Sequence, residues 1–229
     1  MRRTRFVALL VAATAALGGA AVAVAATVTG TPGNDTLFGT ASDDVIRGLA
    51  GNDTIFGLGG DDRIGGGSGD DVISGDGACP PGSSPYYCIP PTGTPGDDKI
   101  NGGSGDDRIN GNGGDDKIAG QGGEDNLRGG RGEDRISGGT DDDTIRGGSG
   151  DDRLRGNVGA DVLYGGRGND RITAGPGKDE VHAGRGNDVI FARDNSRDEI
   201  DCGPGDDKVF ADRRDDVSSN CETVLRPGR

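Results

Sequence analysis

Aliphatic residues recur along this chain at every ninth position, each set in a polar, glycine-rich surrounding. The strings GTPGNDTLF, GTASDDVIR, GLAGNDTIF, GLGGDDRIG and GGSGDDVIS fill residues 30–74 without a gap. The pattern resumes with GTPGDDKIN at Gly93 and runs to AGRGNDVIF, ending at Phe191. The eighth place of every unit is Ile, Leu or Val, from Leu37 to Ile190. Side chains alternate along a strand, so each x-aliphatic-x predicts a short strand with one inward residue. The G-x-x-G-x-D before it predicts a turn, where glycine permits left-handed backbone and close stacking. Two units, eighteen residues, then form one flattened coil of strand, turn, strand, turn. The predicted fold is all-β: a parallel β-roll (β-solenoid) of 9-residue repeats, two per coil, with a C-terminal disulfide-stapled cap. Sixteen units make about eight coils, or about 38 Å of stack at ~4.8 Å per coil.

The sixth place is as regular as the eighth. It holds Asp35, Asp44, Asp53, Asp62, Asp71, Asp98, Asp107, Asp116, Asp125, Asp134, Asp143, Asp152, Asp161, Asp170, Asp179 and Asp188. A later unit, CGPGDDKVF, adds Asp207. Stacking places these residues in two columns. Neighbouring carboxylates about 5 Å apart repel by about 1 kcal/mol per pair in water and by several at a surface-like dielectric. A divalent cation between successive turns reverses the sign, and oxygen-only ligands suit Ca²⁺. The plain alternative is a metal-free solenoid with solvated acidic turns.

The units resemble the nonapeptide calcium-binding repeats of RTX (haemolysin-type) proteins, G-G-x-G-x-D-x-U-x, over 30–74 and 93–191. That resemblance implies a parallel β-roll with several Ca²⁺ ions bound between adjacent turns. It makes the sixth-place aspartates the ligands, with turn carbonyls completing the shell. Some units depart from the pattern. Ser42 and Asp141 replace the fourth-place glycine, Ala160 and Lys178 the usual fifth-place acid or amide, and Ala174 and Ala183 the first-place glycine. Weaker binding is therefore expected near 174–191.

Composition alters the picture in two places. With 48 glycines, 10 prolines and no tryptophan, the chain would read as disordered if it had no period. Residues 1–26 stand apart from the repeat. They carry Arg2, Arg3 and Arg5, an apolar run from Phe6, and Ala23-Val24-Ala25, the marks of a secretory signal peptide. A secreted, extracellular protein follows, with cell-surface association as a variant. The repeat blocks are then 27–74 and 93–191, with a degenerate coil and cap over 192–229. The insertion 75–92, GDGACPPGSSPYYCIPPT, would put Pro80 and Ile89 at sixth places and Gly82 and Pro91 at eighth places. It reads as a surface loop closed by Cys79–Cys88 in an oxidising exterior, leaving Cys202–Cys221 for the cap; four cysteines allow three pairings.

Catalysis finds little support. His182 is the single histidine, at an outward-facing ninth place, and no phosphate-binding G-x-x-x-x-G-K-[ST] occurs. The turn columns already account for the paired acids, so no enzyme is expected. The seventh places of one sheet read Arg63, Lys99, Lys117, Arg135, Arg153 and Arg171, a basic ladder on a chain of net charge −14. Such a ladder keeps sheets from aggregating, or docks an anionic cell-surface polymer. The overall charge argues against nucleic acid, and the mature chain has no segment apolar enough to span a membrane. The expected protein is a secreted calcium-binding β-roll that folds on taking up its ions. The alternative is a cell-surface or matrix adhesion module in which calcium is only structural.

Overall fold

A computed structural model describes residues 25–76 and 95–227. Residues 1–24, where a signal peptide is expected, most of the insertion, and Cys79 and Cys88 lie outside the described residues. Among those described there are twenty-one short strands and no helix, hence none that crosses a membrane. They alternate between two parallel sheets of eleven and ten strands, beginning at Thr27–Thr29 and ending at Thr223–Leu225. Two strands per coil give about ten coils, roughly 48 Å of stack. The expected parallel β-roll is the observed fold.

Register explains why the stack holds. Ile118 lies opposite Ile100 and Ile136 in the first sheet, and Leu127 opposite Ile109 and Ile145 in the second. Each eighth-place residue thus stacks on its equivalents one coil away, and these side chains are almost completely buried. Both inner rows belong to one thin core. A fully buried Leu contributes about 1.5–3 kcal/mol by leaving water. Leu127→Ala also leaves a cavity, so it is expected to cost about 2–5 kcal/mol, measured by chemical denaturation of the calcium-loaded protein. A loss below about 1 kcal/mol would mean that the coils collapse freely around the gap.

The stack passes directly over the insertion. Arg63–Ser68 pairs with Lys99–Ser104, and Val72–Asp76 with Arg108–Gly113, partners separated by 36 residues instead of 18. Asp76 helps close this splice, its carboxylate accepting the Gly96 N–H at 3.2 Å.

The coil also continues beyond Phe191, further than the period suggests. Glu199–Asp201, Lys208–Ala211, Asp216–Val217 and Thr223–Leu225 extend both sheets. The extra residue at 192–201 is taken up in the turn, where Asn195 adopts φ 75°. First-place glycine gives way here to Ala174, Ala183, Ala192, Cys202, Ala211 and Cys221, all buried in the core. Cys202 and Cys221 form the expected disulfide across the last coils, 19 residues apart.

Candidate metal centre

Each predicted aspartate has its place in one of two columns along the edges of the roll. All are buried, none more than 6 % exposed. Their backbone explains their position: the sixth-place carbonyl accepts the seventh-place N–H of the next coil, as Asp98 O does from Lys117 N at 2.8 Å. Side chains tie the coils a second time. The Asp98 N–H donates to Asp116 Oδ1 at 2.9 Å, that of Asp116 to Asp134 at 2.9 Å, and that of Asp107 to Asp125 at 2.8 Å. The pattern crosses the insertion unbroken, with the Asp62 N–H on Asp98 and the Asp71 N–H on Asp107, both at 2.8 Å.

The second carboxylate oxygen has no such partner. In sixteen column aspartates, from Asp53 to Asp207, Oδ2 is buried with no hydrogen bond. The N-terminal pair differs: Asp35 and Asp44 take up the Thr31 and Thr40 N–H groups on Oδ2. Beside each orphaned oxygen in the regular coils lies the first-place glycine of the same turn. A Cβ at Gly111 would run into Asp116 Oδ2 and stand 2.9 Å from the Gly129 carbonyl of the next coil. At Gly102 the same position is faced by Asp107 Oδ2 and, at 3.0 Å, by Gly120 O. The polar atoms nearest that position are a carboxylate and a backbone carbonyl oxygen, the donor types of a hard cation.

Desolvation dominates the electrostatics. Burial pushes the carboxyls of Asp62, Asp116 and Asp152 up to about 8, and those of Asp98, Asp107, Asp143, Asp170 and Asp179 up to about 7. The backbone hydrogen bond opposes the rise, while neighbouring carboxylates add to it. A buried charge with one unpaired oxygen is costly unless a cation meets it. Among the described residues, no group of three or more His, Cys, Asp or Glu side chains comes together. An ion here would meet fewer than three such side chains, with backbone carbonyls and water as the other available oxygen donors.

Three column members were not legible in the period. Asp198 is buried with an orphaned Oδ2, and its Oδ1 accepts the Asp179 N–H at 3.0 Å. Asp215, not Asp216, follows it, accepting the Asp198 N–H at 3.3 Å; Asp216 takes the seventh place, and Val217 is only partly buried against the core. Glu222 ends the other column, accepting the Asp207 N–H at 2.9 Å. An Asp-x-Ile triplet at 198–200 was the signal available in the sequence.

Outside the columns, fifth-place acids form a second, exposed row. Asp61, Asp97 and Asp115 each donate a backbone N–H to the fifth-place carboxylate one coil earlier, at 3.0, 3.0 and 2.7 Å. Together with the buried column they line a groove of about 600 Å³, and Arg63, Lys99, Lys117 and Arg135 border it. The predicted basic ladder is in register from Arg63 to Arg171.

A two-sheet parallel roll with oxygen-lined turns along both edges defines a repeat solenoid of the cation-binding class. The RTX calcium-binding nonapeptide repeat matches at residues 29–64, 56–78, 92–127, 120–154, 128–163 and 155–190. These matches span more than half of the chain, and the chain belongs to that family, whose repeats bind Ca²⁺. A search of curated proteins finds no match.

Proposed function

We propose that this is a secreted, non-enzymatic protein whose folding is coupled to calcium, with the sixth-place aspartates as ligands. The sequence-predicted set runs from Asp35 to Asp188 and includes Asp207; Asp198 joins it through its orphaned Oδ2, whereas Asp215 spends its Oδ2 on the Asp212 N–H. The observation that carries this reading is the alignment of sixteen buried, unpartnered Oδ2 atoms beside turn carbonyls. Bound Ca²⁺ supplies positive charge and coordination to oxygens that otherwise lack both. The aspartates hold the turns in register through Oδ1 and offer Oδ2 to the ion. The eighth-place ladders close the core once the columns are neutralised.

Asp116→Asn tests the assignment. The amide oxygen retains the bond from the Asp98 N–H, while the charge is lost. Calorimetric titration with Ca²⁺ is expected to show multi-ion binding in the parent and roughly tenfold weaker binding at the affected turns in the variant. The metal-free variant should melt higher than the metal-free parent, because one buried charge is gone. An unchanged titration would remove Asp116 from the ligand set, and a parent that takes up no Ca²⁺ would overturn the proposal.

A second reading is a surface or matrix module in which calcium is only structural. It is favoured by the aligned, exposed ladder of Arg63, Lys99, Lys117, Arg135, Arg153 and Arg171, a face suited to an anionic cell-surface polymer.

A further inference from the structure

We propose that a glycine-floored trough on the second sheet is a binding groove for a linear acidic polysaccharide. The trough lies on the opposite face from the basic ladder and away from the aspartate columns, and has a volume of about 740 Å³. Gly130, Gly148 and Gly166 stack in register to form its floor, and Gly184 continues the row beyond it. The second place does not demand glycine everywhere. Leu49, Gln121 and Asn157 occupy it on the first sheet at φ 92°, 90° and 80°, and their side chains interrupt that face. Only on the second sheet do four bare positions run together among the described residues.

Arginines form both walls. Arg128 stands on the ninth-place side, with Arg146 next in its row, and Arg131, Arg167 and Arg185 on the third-place side. None is in an ion pair among the described residues. Arg146 is held over the Tyr164 ring at 4.9 Å, and Tyr164 stacks on His182 at 4.9 Å. His182 in turn meets Glu180 at 2.6 Å and Asp201 at 3.8 Å, so the row becomes acidic at its C-terminal end.

The occupant follows from charge and width. Unpaired guanidinium groups in two rows present planar, bidentate donors, the geometry that recognises carboxylates. Coils lie about 4.8 Å apart, so Arg128 and Arg146, and Arg167 and Arg185, stand one coil apart and Arg131 two coils from Arg167, and an extended polymer of carboxylates can meet several of them. The seventh-place ladder is a poorer receptor, because its cations border the acidic groove along the turns. Nucleic acid would meet a chain of net charge −14. Single strands rely on free aromatic faces, and here Tyr164 is covered by Arg146 and His182.

The test is fluorescence anisotropy with a labelled hyaluronate oligosaccharide and the full calcium-loaded chain at low salt. Binding is expected, with loss at high salt and none to neutral dextran. The triple variant Arg131→Ser, Arg167→Ser, Arg185→Ser should bind at least about tenfold more weakly with an unchanged circular dichroism spectrum. Serine fits this place, since Ser149 already occupies it in the same column. Arg135→Ser with Arg153→Ser on the other face should bind like the parent. The proposal is overturned if the folded parent does not bind, if the trough variant binds equally well, if the ladder variant takes the loss, or if an oligothymidylate of equal charge binds more tightly. Calcium uptake is read separately in the same samples, so failure here leaves the calcium proposal intact.

Discussion

Stripped of metal and held in excess chelator at about pH 8, the chain is expected to lose most of its β-type circular dichroism and to regain it cooperatively as Ca²⁺ is added. The reason lies in the balance along the edges. The core receives mainly one aliphatic side chain per strand, each contributing about 1.5–3 kcal/mol on burial. Against this, nearly every turn buries a carboxylate with an unpaired oxygen. Neighbours in a column, one coil apart, repel by about 1 kcal/mol in water and about 3–4 kcal/mol at a surface-like dielectric. The two quantities are of similar size, so a thin core cannot absorb the cost over the length of the stack. Cooperativity follows from stacking, because each coil contacts only its neighbours and ordering propagates along the axis. A full β spectrum in chelator would show that the aliphatic ladders and the Cys202–Cys221 bridge suffice. The structural-module reading would then move ahead.

Without metal, acid should stabilise the roll. Folding raises the carboxyl pKa of Asp98 and Asp170 from 3.8 to about 7, and of Asp116 and Asp152 to about 8. The folded state therefore holds more protons than the unfolded chain between about pH 4 and 8. Under linkage, stability falls as pH rises through that window and is greatest near its acid end. A tenfold change in proton affinity is worth about 1.4 kcal/mol, a large share of the modest net stability of a domain. Even a net effect of about 4 kcal/mol moves the melting temperature by roughly 10 °C for a chain of this size. Thermal melts of metal-free protein at about pH 5 and about pH 8 measure it. In calcium the sign reverses, because the ligand form is the carboxylate and protons compete with the ion. Equal metal-free stability at the two pH values would mean that the columns ionise normally in the fold, and desolvation would no longer explain the need for a cation.

Much of this is legible in the amino-acid pattern, for a local reason. Asp116 and Ile118 lie two residues apart, and the turn and strand that place them are encoded within one unit. A single inward residue at Ile118 fixes which face is core, since a one-residue slip would expose the whole row. The seventh-place ladder is legible for the same reason, as an eighteen-residue repeat returns to the same sheet. The ten-residue stretch 192–201 hid Asp198 because its extra residue is absorbed in a turn with a left-handed Asn195, a backbone event that a strict period does not register. Asp215 was hidden by the shortened last coils, in which successive column members are 17 and 15 residues apart instead of 18.

The repeat, the inward aliphatic row and the two acid columns are set by residues within one or two units, so the amino-acid pattern alone carries them. Only the tertiary structure decided which atoms of those acids are spent and which are free. Oδ1 is consumed by an N–H one coil away, and Oδ2 is left beside a carbonyl of the next coil. It also decided that the stack closes over the insertion at a spacing of 36 residues, and that three glycines and four arginines from different coils line one trough. These features arise between coils. They depend on hydrogen-bonded register between distant segments, which no nine-residue pattern contains.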